Sequence, residues 1–282
     1  YVAEYVDEGA DEITFASMSI AIFMTLNSNT AQTVHAGRTL TLNSAVTIEN
    51  LTGGAGNDNL IGNNLNNTLT GNPGNDQLFG GAGSDTLAGG QGFDGYGFTN
   101  ATSLENDVIV EADNQLGDSI SFGSMSIGVT LDLASTVVQP VHTNRTLQLS
   151  GINAVESIIG GSGNDVLTGN SAPNGLTGNG GNDILDGRGG NDSLFGGAGN
   201  DTYVFSQAAG NEVDFVSEVA GEGTDTLDFS LLTTVVTFNL SSTAIQAVHS
   251  NRGLSISSDQ TIENLIGGSG NDVLTGNTLA NT

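Results

Sequence analysis

The chain has 282 residues, of which 31 are Asp or Glu and only four are Arg, and its formal net charge is −27 at pH 7. A protein this acidic repels nucleic acid and anionic membranes, so neither is expected as a partner. The chain has no Cys, which excludes disulfides, thiolate metal sites and a Cys nucleophile. It has no apolar run of 18 residues, so membrane insertion is not expected.

Six segments of two alternating kinds follow one another along the chain. One kind consists of nine-residue words that begin with Gly, and the other kind connects these blocks. The expected order is a partial connector at 1–52, a block of five words at 53–97, a connector at 98–159, a second block at 160–204, a connector at 205–266 and the start of a third block at 267–282.

A longer period contains these segments. Gly53, Gly160 and Gly267 open the three blocks and are 107 residues apart, and many connector residues keep the same spacing. The chain is therefore a tandem array of a 107-residue repeat. The first copy is partial and the third stops at Thr282, which predicts that the sequence is an excerpt of a longer protein.

The complete words share Gly at position 1 and Leu or Tyr at position 8, and most have Asp at position 6, as in GGAGNDNLI and GGSGNDVLT. Gly and Asn tolerate the left-handed backbone of a tight turn. Position 6 offers an oxygen ligand to a cation, and position 8 offers one apolar side chain to bury. The pattern predicts a calcium-dependent parallel β-roll, with a turn at positions 1–6 and a short strand at positions 7–9.

One word makes half a coil of such a roll, so the residues at position 6 are predicted to form two rows in each block. Coils lie about 4.8 Å apart, and calcium between the carboxylates of one row would convert their repulsion into cohesion. Asn67 and Asn174 lack the charge, so weaker or absent binding is expected there. The proposed ligands are Asp58, Asp76 and Asp94 opposite Asn67 and Asp85, then Asp165, Asp183 and Asp201 opposite Asn174 and Asp192, then Asp272.

The connectors alternate apolar and polar residues, which indicates half-buried strands rather than helices. The strand before the third block runs into GGSGND without a linker, so the connector strands are expected to stack on the roll. The fold class predicted is all-β, with β-roll blocks, strand-rich connectors and no substantial helix. The alternating positions are Ile120, Phe122, Val129, Leu131, Leu133, Leu147 and Leu149, and in the next connector Leu227, Phe229, Val236, Phe238, Leu240, Leu254 and Ile256.

Two further motifs recur once per repeat, and each has more than one interpretation. The acids Glu4 and Asp11, Glu111 and Asp118, and Glu218 and Asp225 form either an extra calcium site that caps the roll or solvated turns. The sequences VHAGR, VHTNR and VHSNR contain His35 and Arg38, His142 and Arg145, and His249 and Arg252. Three interpretations fit these motifs. They form a structural turn whose Arg pairs with a carboxylate, a docking surface between repeats, or a substrate or partner site that recurs in each repeat.

The words resemble the RTX (repeats-in-toxin) motif GGxGxDxUx, and DTYVF at 201–205 resembles the usual end of such a block. The resemblance implies a right-handed parallel β-roll, calcium ligated by the Asp at position 6 and by turn carbonyls, and type I secretion. RTX proteins include toxins, proteases, lipases, adhesins and surface-layer proteins. The resemblance therefore does not select an activity, and no catalytic residue is predicted.

The hypothesis that follows is a secreted, multi-calcium structural protein that forms an extracellular fibre, a surface layer or an adhesin stalk, with end-to-end self-association. The alternative is the export and folding region of a secreted enzyme or toxin whose active domain lies outside this sequence. In both cases, burying one leucine per word stabilises the fold by less than the conformational entropy lost when nine residues become ordered. Folding and calcium binding are therefore expected to be one event.

Overall fold

The computed structural model describes residues 9–45, 47–111, 117–207 and 209–282, and Glu4 lies outside them. Every regular element in these ranges is a β-strand, which confirms the predicted all-β fold. The chain forms two compact units: unit 1 contains Tyr1–Ser121 and Ser135–Val155, and unit 2 contains Phe122–Ala134 and Glu156–Thr282. None of the described residues forms a helix with the length and apolar composition needed to cross a bilayer. The division into six segments remains a prediction.

The strands are short, and most have three residues. They are β1 Glu12–Thr14, β2 Phe23–Thr25, β3 Gln32–His35, β4 Arg38–Leu40, β5 Asn50–Thr52, β6 Asn59–Ile61, β7 Thr68–Pro73, β8 Gln77–Phe79, β9 Thr86–Gln91, β10 Gly95–Gly97, β11 Glu105–Val110, β12 Ser119–Ser121, β13 Thr130–Asp132, β14 Gln139–His142 and β15 Arg145–Leu149. They continue with β16 Ser157–Ile159, β17 Val166–Thr168, β18 Gly175–Gly180, β19 Ile184–Asp186, β20 Ser193–Ala198, β21 Thr202–Val204, β22 Glu212–Ser217, β23 Thr226–Asp228, β24 Thr237–Asn239, β25 Gln246–His249, β26 Arg252–Ile256, β27 Asn264–Ile266 and β28 Val273–Thr275.

In unit 1, successive words alternate between two sets of parallel strands. One sheet has the order β1-β5-β7-β9-β11-β15-β14, in which only β14 is antiparallel to its neighbour. The strands β2, β6, β8, β10 and β12 pair in that order and are all parallel. A word therefore pairs with the second word after it, as expected if each word forms half a coil.

Unit 2 has the same arrangement. The strands β16, β18, β20, β22 and β26 are parallel neighbours, and β25 follows in antiparallel orientation. The strands β13, β17, β19, β21, β23 and β27 form the opposite parallel sheet. Connector strands such as β22 and β23 hydrogen-bond directly to roll strands. The connectors thus stack on the roll, as the sequence predicts.

The core consists of apolar ladders in which one residue per strand lies above its equivalent in the next coil. Position 8 supplies the rungs within the blocks, and the alternating connector residues extend them. One ladder in unit 1 is Leu51, Leu69, Leu87, Ile109 and Leu149, and one in unit 2 is Leu131, Leu167, Leu185, Tyr203 and Leu227. These residues are all fully buried. Every connector position predicted from the alternation is also buried.

A second ladder runs along the turns and is built from the Asn at position 5. The side-chain oxygen of Asn57 accepts a hydrogen bond from the backbone N–H of Asn75 at 2.9 Å, and that of Asn75 accepts one from Phe93 at 3.0 Å. Asn164 and Asn182 repeat the arrangement in unit 2. These exposed amides join successive turns without a charge.

The three VHxxR motifs form antiparallel hairpins. They join β3 to β4, β14 to β15, and β25 to β26, and in each hairpin the His pairs with the Arg across the turn. The structural turn is thus the interpretation that the backbone favours. Two of these hairpins add the antiparallel strand beside the parallel strands of their unit.

Shortening a rung of the core should destabilise the roll. Leu69 is fully buried, so Leu69→Ala is expected to lower the free energy of unfolding by about 2–5 kcal/mol. The neighbouring Thr68 is exposed, and Thr68→Ala should cost less than about 1 kcal/mol. Urea unfolding at saturating calcium measures both, and equal losses in the two variants would contradict the ladder.

Candidate metal centres

Carboxylates stand in line along one side of unit 1 and form the Asp58 row, defined as Asp58, Asp76, Asp94 and Asp118. The backbone N–H of each of the first three donates to Oδ1 of the next, at 2.7, 2.7 and 2.8 Å. In unit 2, the Asp165 row consists of Asp165, Asp183, Asp201 and Asp225 and has the same bonds at 2.7, 2.8 and 2.9 Å. Both rows are buried. Parallel pairing therefore stacks like charges one coil apart.

The second carboxylate oxygen of several of these residues is buried without a partner in the part of the chain that the structure describes. Oδ2 of Asp76, Asp94, Asp183 and Asp201 is buried and has no hydrogen-bond partner among the described residues. A Cβ placed on Gly71, at position 1 of the same word as Asp76, would collide with Asp76 Oδ2 and lie 2.6 Å from the carbonyl oxygen of Gly89. Carboxylate and carbonyl oxygens thus converge where only Gly fits. This is the oxygen donor set that calcium prefers.

Burial and mutual repulsion raise the pKa values of these carboxyl groups. Burial raises the pKa of Asp76 to about 7, and the charges of Asp58 and Asp94 add to the rise. Asp183 reaches about 7 for the same reasons, with Asp165 and Asp201 as its charged neighbours. Carboxylates in such positions need either a proton or a cation near neutral pH. The residues present therefore fit a hard divalent ion.

The opposite side of each unit has a shorter row that begins with Asn. The Asp85 row is Asn67, Asp85 and Asp107, joined by N–H to Oδ1 bonds of 2.8 and 2.9 Å. The Asp192 row of unit 2 is Asn174, Asp192 and Asp214, with bonds of 2.8 and 3.0 Å. Burial, with the charges of Asp214 and Glu212, raises the pKa of Asp192 to about 8.

The side-chain NH₂ group of the Asn that opens each short row already donates hydrogen bonds to nearby oxygen atoms. The Nδ2 group of Asn67 donates to the carbonyl oxygen of Glu49 at 3.1 Å and to Oδ1 of Asn63 at 3.2 Å. Asn174 Nδ2 donates to the carbonyl oxygen of Glu156 at 3.1 Å. A carboxylate cannot donate in this way. The weaker binding predicted at both Asn residues remains a prediction, and these bonds supply a physical reason for it.

A cluster of three acids forms the end of each longer row. Asp94, Glu111 and Asp118 each bring one carboxylate oxygen within 4.8 Å of the others, and all three are buried. Tyr96, at position 8 of the last word, donates its hydroxyl hydrogen to Glu111 and accepts the N–H of Gly89 at 2.8 Å.

Unit 2 repeats this cluster with Asp201, Glu218 and Asp225. Tyr203 donates to Glu218 and accepts the N–H of Gly196 at 2.7 Å. Burial raises the pKa of Glu218 to about 7, with the charge of Asp225 as a further cause. Of the two interpretations of these acids, the extra metal site agrees better with their burial than the solvated turn does.

The other predicted ligands are less enclosed. Asp11, the equivalent of Asp118 and Asp225, is half-buried, and its backbone N–H donates to Glu49 at 2.9 Å. Asp272 is also half-buried and accepts the N–H of Val236 at 2.9 Å. Glu4 lies outside the described residues. The structure therefore brings the predicted ligands of the two complete blocks into rows, while Asp11 and Asp272 stand at more open positions.

Several site residues were not among the predicted ligands. Asp107 and Asp214 extend the short rows, and Tyr96 and Tyr203 reach the acid clusters. Tyr replaces Leu at position 8 only in the last word of each block, which is a signal that the sequence contains. The recurrence of Asp107 at Asp214 is a second signal.

Comparison with known families identifies the repeated segments. The pattern described as RTX calcium-binding nonapeptide repeat (4 copies) matches residues 47–64, 61–96, 150–172 and 176–204. These segments are RTX calcium-binding repeats. A second family, described as Peptidase M10 serralysin C terminal, matches residues 214–280. The RTX matches cover most of both blocks of words and begin in the connector ahead of each, and the serralysin match covers most of the following connector and the start of the third block.

Curated relatives share a short stretch with this chain. Serralysin of Photorhabdus laumondii is 51% identical over 61 residues, which are 21% of this chain and 13% of that protein. Metalloprotease AprA of Pseudomonas entomophila is 50% identical over 62 residues, covering 22% of this chain and 13% of the relative. Serralysin of Photorhabdus luminescens is 51% identical over 61 residues. The chain thus spans about 13% of the length of the relatives it matches.

Removing one charge from the middle of a row should affect two neighbouring sites. Asp76→Asn keeps an oxygen that can accept the N–H of Asp58 but removes a buried negative charge. We expect the number of bound calcium ions to fall by at least one and the calcium midpoint of folding to rise. The control Glu222→Gln removes an exposed charge. Equilibrium dialysis counts the ions, and an unchanged count in Asp76→Asn would show that the row is assigned wrongly.

Acid should partly replace metal in stabilising the fold. The folded, metal-free carboxyls of Asp76, Asp183 and Asp225 have pKa values of about 7, against an ordinary value of 3.8. The folded state therefore binds more protons than the unfolded state between these values, and its stability falls as pH rises through this window.

In chelator, the β-sheet signal in circular dichroism should accordingly be stronger at pH 5.5 than at pH 8. With calcium present, protons compete for the same oxygens, so the calcium midpoint should rise as pH falls below about 7. Identical chelated spectra at both pH values would contradict the predicted protonation.

Proposed function

We propose that this chain is the calcium-binding β-roll region of a secreted protein and that it folds when it meets calcium outside the cell. The observation that carries the proposal is the set of buried carboxylate rows, in which Oδ2 of Asp76, Asp94, Asp183 and Asp201 has no hydrogen-bond partner among the described residues. The proposed ligands are those of the rows, including Asp76 and Asp183, with the clusters that end in Asp118 and Asp225.

The rows act as a switch between compartments. At the low calcium concentration of a cytosol, the stacked carboxylates repel each other and oppose coiling. Extracellular calcium modules typically bind in the range of about 10⁻⁴–10⁻³ M. The carboxylates would therefore gain their counter-ions only after export, so the chain could cross a secretion channel unfolded. The hydrogen bonds from the backbone N–H of one Asp to Oδ1 of the next then position each carboxylate against its neighbour.

We infer that the complete protein is a secreted enzyme and that this region promotes its export and folding. The relatives it matches are named serralysin and metalloprotease AprA, and 214–280 follows the serralysin C-terminal pattern. The rows and hairpins repeat equivalently in both units, which fits a scaffold better than a single catalytic centre. In this proposal the catalytic residues belong to another part of the protein.

A second candidate is the extracellular fibre, surface layer or adhesin stalk with end-to-end self-association. The observation that favours it is the 107-residue repetition, because both units carry equivalent rows, acid clusters and hairpins. A scaffold that gains length by adding copies has this property. The relatives support the enzyme-associated role more directly.

Calcium removal tests the common part of both candidates. In chelator at pH 7.5 the chain should give the circular dichroism of a disordered protein, and about 1–5 mM calcium should produce a β-sheet signal. The same concentration of magnesium should be much less effective, because magnesium demands smaller, octahedral sites. A β-sheet signal that survives chelation unchanged would refute metal-dependent folding.

The full-length protein distinguishes the two candidates. If it is a serralysin-like enzyme, purified protein should cleave casein and be a compact particle in electron micrographs. If it is a structural protein, it should form filaments or arrays and lack protease activity. Filaments without proteolysis would overturn the enzyme-associated role.

A further inference from the structure

Arg145 and Arg252 lie at the ends of the two short rows. Asp85 donates its backbone N–H to Asp107, and the other carboxylate oxygen of Asp107 contacts the guanidinium of Arg145. In unit 2, Asp214 stands in the same relation to Arg252. Both arginines are buried, with 2% and 3% of their surface exposed. A protein cation thus occupies the place that follows the last acid of the row.

The groups around each guanidinium are those that would bind a calcium ion. Arg145 contacts the carboxylates of Glu105 and Asp107, and its Nη2 lies 3.4 Å from the carbonyl oxygen of Thr99. Arg252 contacts the carboxylates of Glu212 and Asp214 and donates to the carbonyl oxygen of Arg188 at 2.9 Å. Two carboxylates and a carbonyl recur in both units, and this donor set matches the ligands of hard divalent cations.

The arginine does not satisfy every oxygen of the Asp192 row. Asp192 Oδ2 is buried and has no hydrogen-bond partner among the described residues, although Arg252 is near. The two rows of each unit therefore end differently. The longer row ends in three carboxylates, and the shorter row ends in two carboxylates that enclose a guanidinium.

We propose that Arg145 and Arg252 substitute for a calcium ion at the ends of the short rows, so that a neutral residue at either position creates an additional divalent-cation site. The inference rests on the proposed calcium-dependent folding. It adds that the ends of the short rows are neutralised by an arginine and bind no metal. The guanidinium neutralises the row end at any calcium concentration. Its face lies over an aromatic ring, Phe98 at 5.0 Å or Phe205 at 5.4 Å, which holds it in position.

A purely structural ion pair makes a different prediction. If the arginine only ties the hairpin to the row, its removal should weaken folding and leave the number of calcium ions unchanged. If it stands in for an ion, its removal should increase that number. The count of bound ions therefore separates the two roles, whereas stability alone does not.

The experiment compares Arg252→Gln, Arg145→Gln and the double variant with the unmodified chain. Equilibrium dialysis at about 5 mM calcium should show one additional ion for each single variant and two for the double variant. Arg252→Lys keeps a positive charge and should bind no additional ion. Arg38→Gln is the matched control, because Arg38 holds the equivalent position in the first VHxxR hairpin but is exposed.

Two results with the Arg252→Gln variant would overturn the inference. A folded Arg252→Gln that binds no additional ion overturns it, and so does a variant that stays unfolded at saturating calcium, because the ion should replace the guanidinium. Adding Asp214→Asn to Arg252→Gln should return the count to that of the unmodified chain. If the unmodified chain folds without calcium, the proposed function fails. If it requires calcium but Arg252→Gln gains none, only this inference fails.

Discussion

Repulsion between carboxylates stacked one coil apart is the constraint on which this molecule depends. Parallel pairing in register places identical positions of successive words above each other, so the leucines stack favourably and the acids stack unfavourably. The same register produces both effects, so the leucines cannot stack without stacking the acids as well. In the proposed function, a cation along the rows resolves the conflict and links the coiling of the chain to the ionic composition of its surroundings.

Three kinds of group along the rows reduce this repulsion. Carboxylates with a buried oxygen that no described residue bonds suit an added ion, as at Asp76. Asn67 and Asn174 remove the charge and donate hydrogen bonds instead. Arg145 and Arg252 supply a positive charge from the chain itself. Only the first kind depends on the solution, so under the proposed calcium-dependent folding the composition of a row determines how strongly its folding responds to calcium.

Much of this architecture follows from the sequence, because the nine-residue period fixes the coil within the blocks. The bonds from Asp58 to Asp76 span 18 residues, as two words require. Beyond the blocks the coil lengthens, and the corresponding bonds span 22 residues to Asp107 and 24 residues to Asp118. Asp107 therefore falls outside the word pattern and only the three-dimensional pairing places it in a row. Which positions hold metal remains a prediction.

The tyrosines that close the two blocks have a spectroscopic consequence. The chain contains no Trp and four Tyr, so tyrosine dominates its intrinsic ultraviolet emission. Tyr96 and Tyr203 are buried and bonded to the carboxylates of Glu111 and Glu218. A phenol bonded to a carboxylate emits differently from one in water. Each of the two complete blocks thus has a tyrosine at the end of its long row. The emission of that tyrosine reports whether the chain is coiled where the block meets the connector.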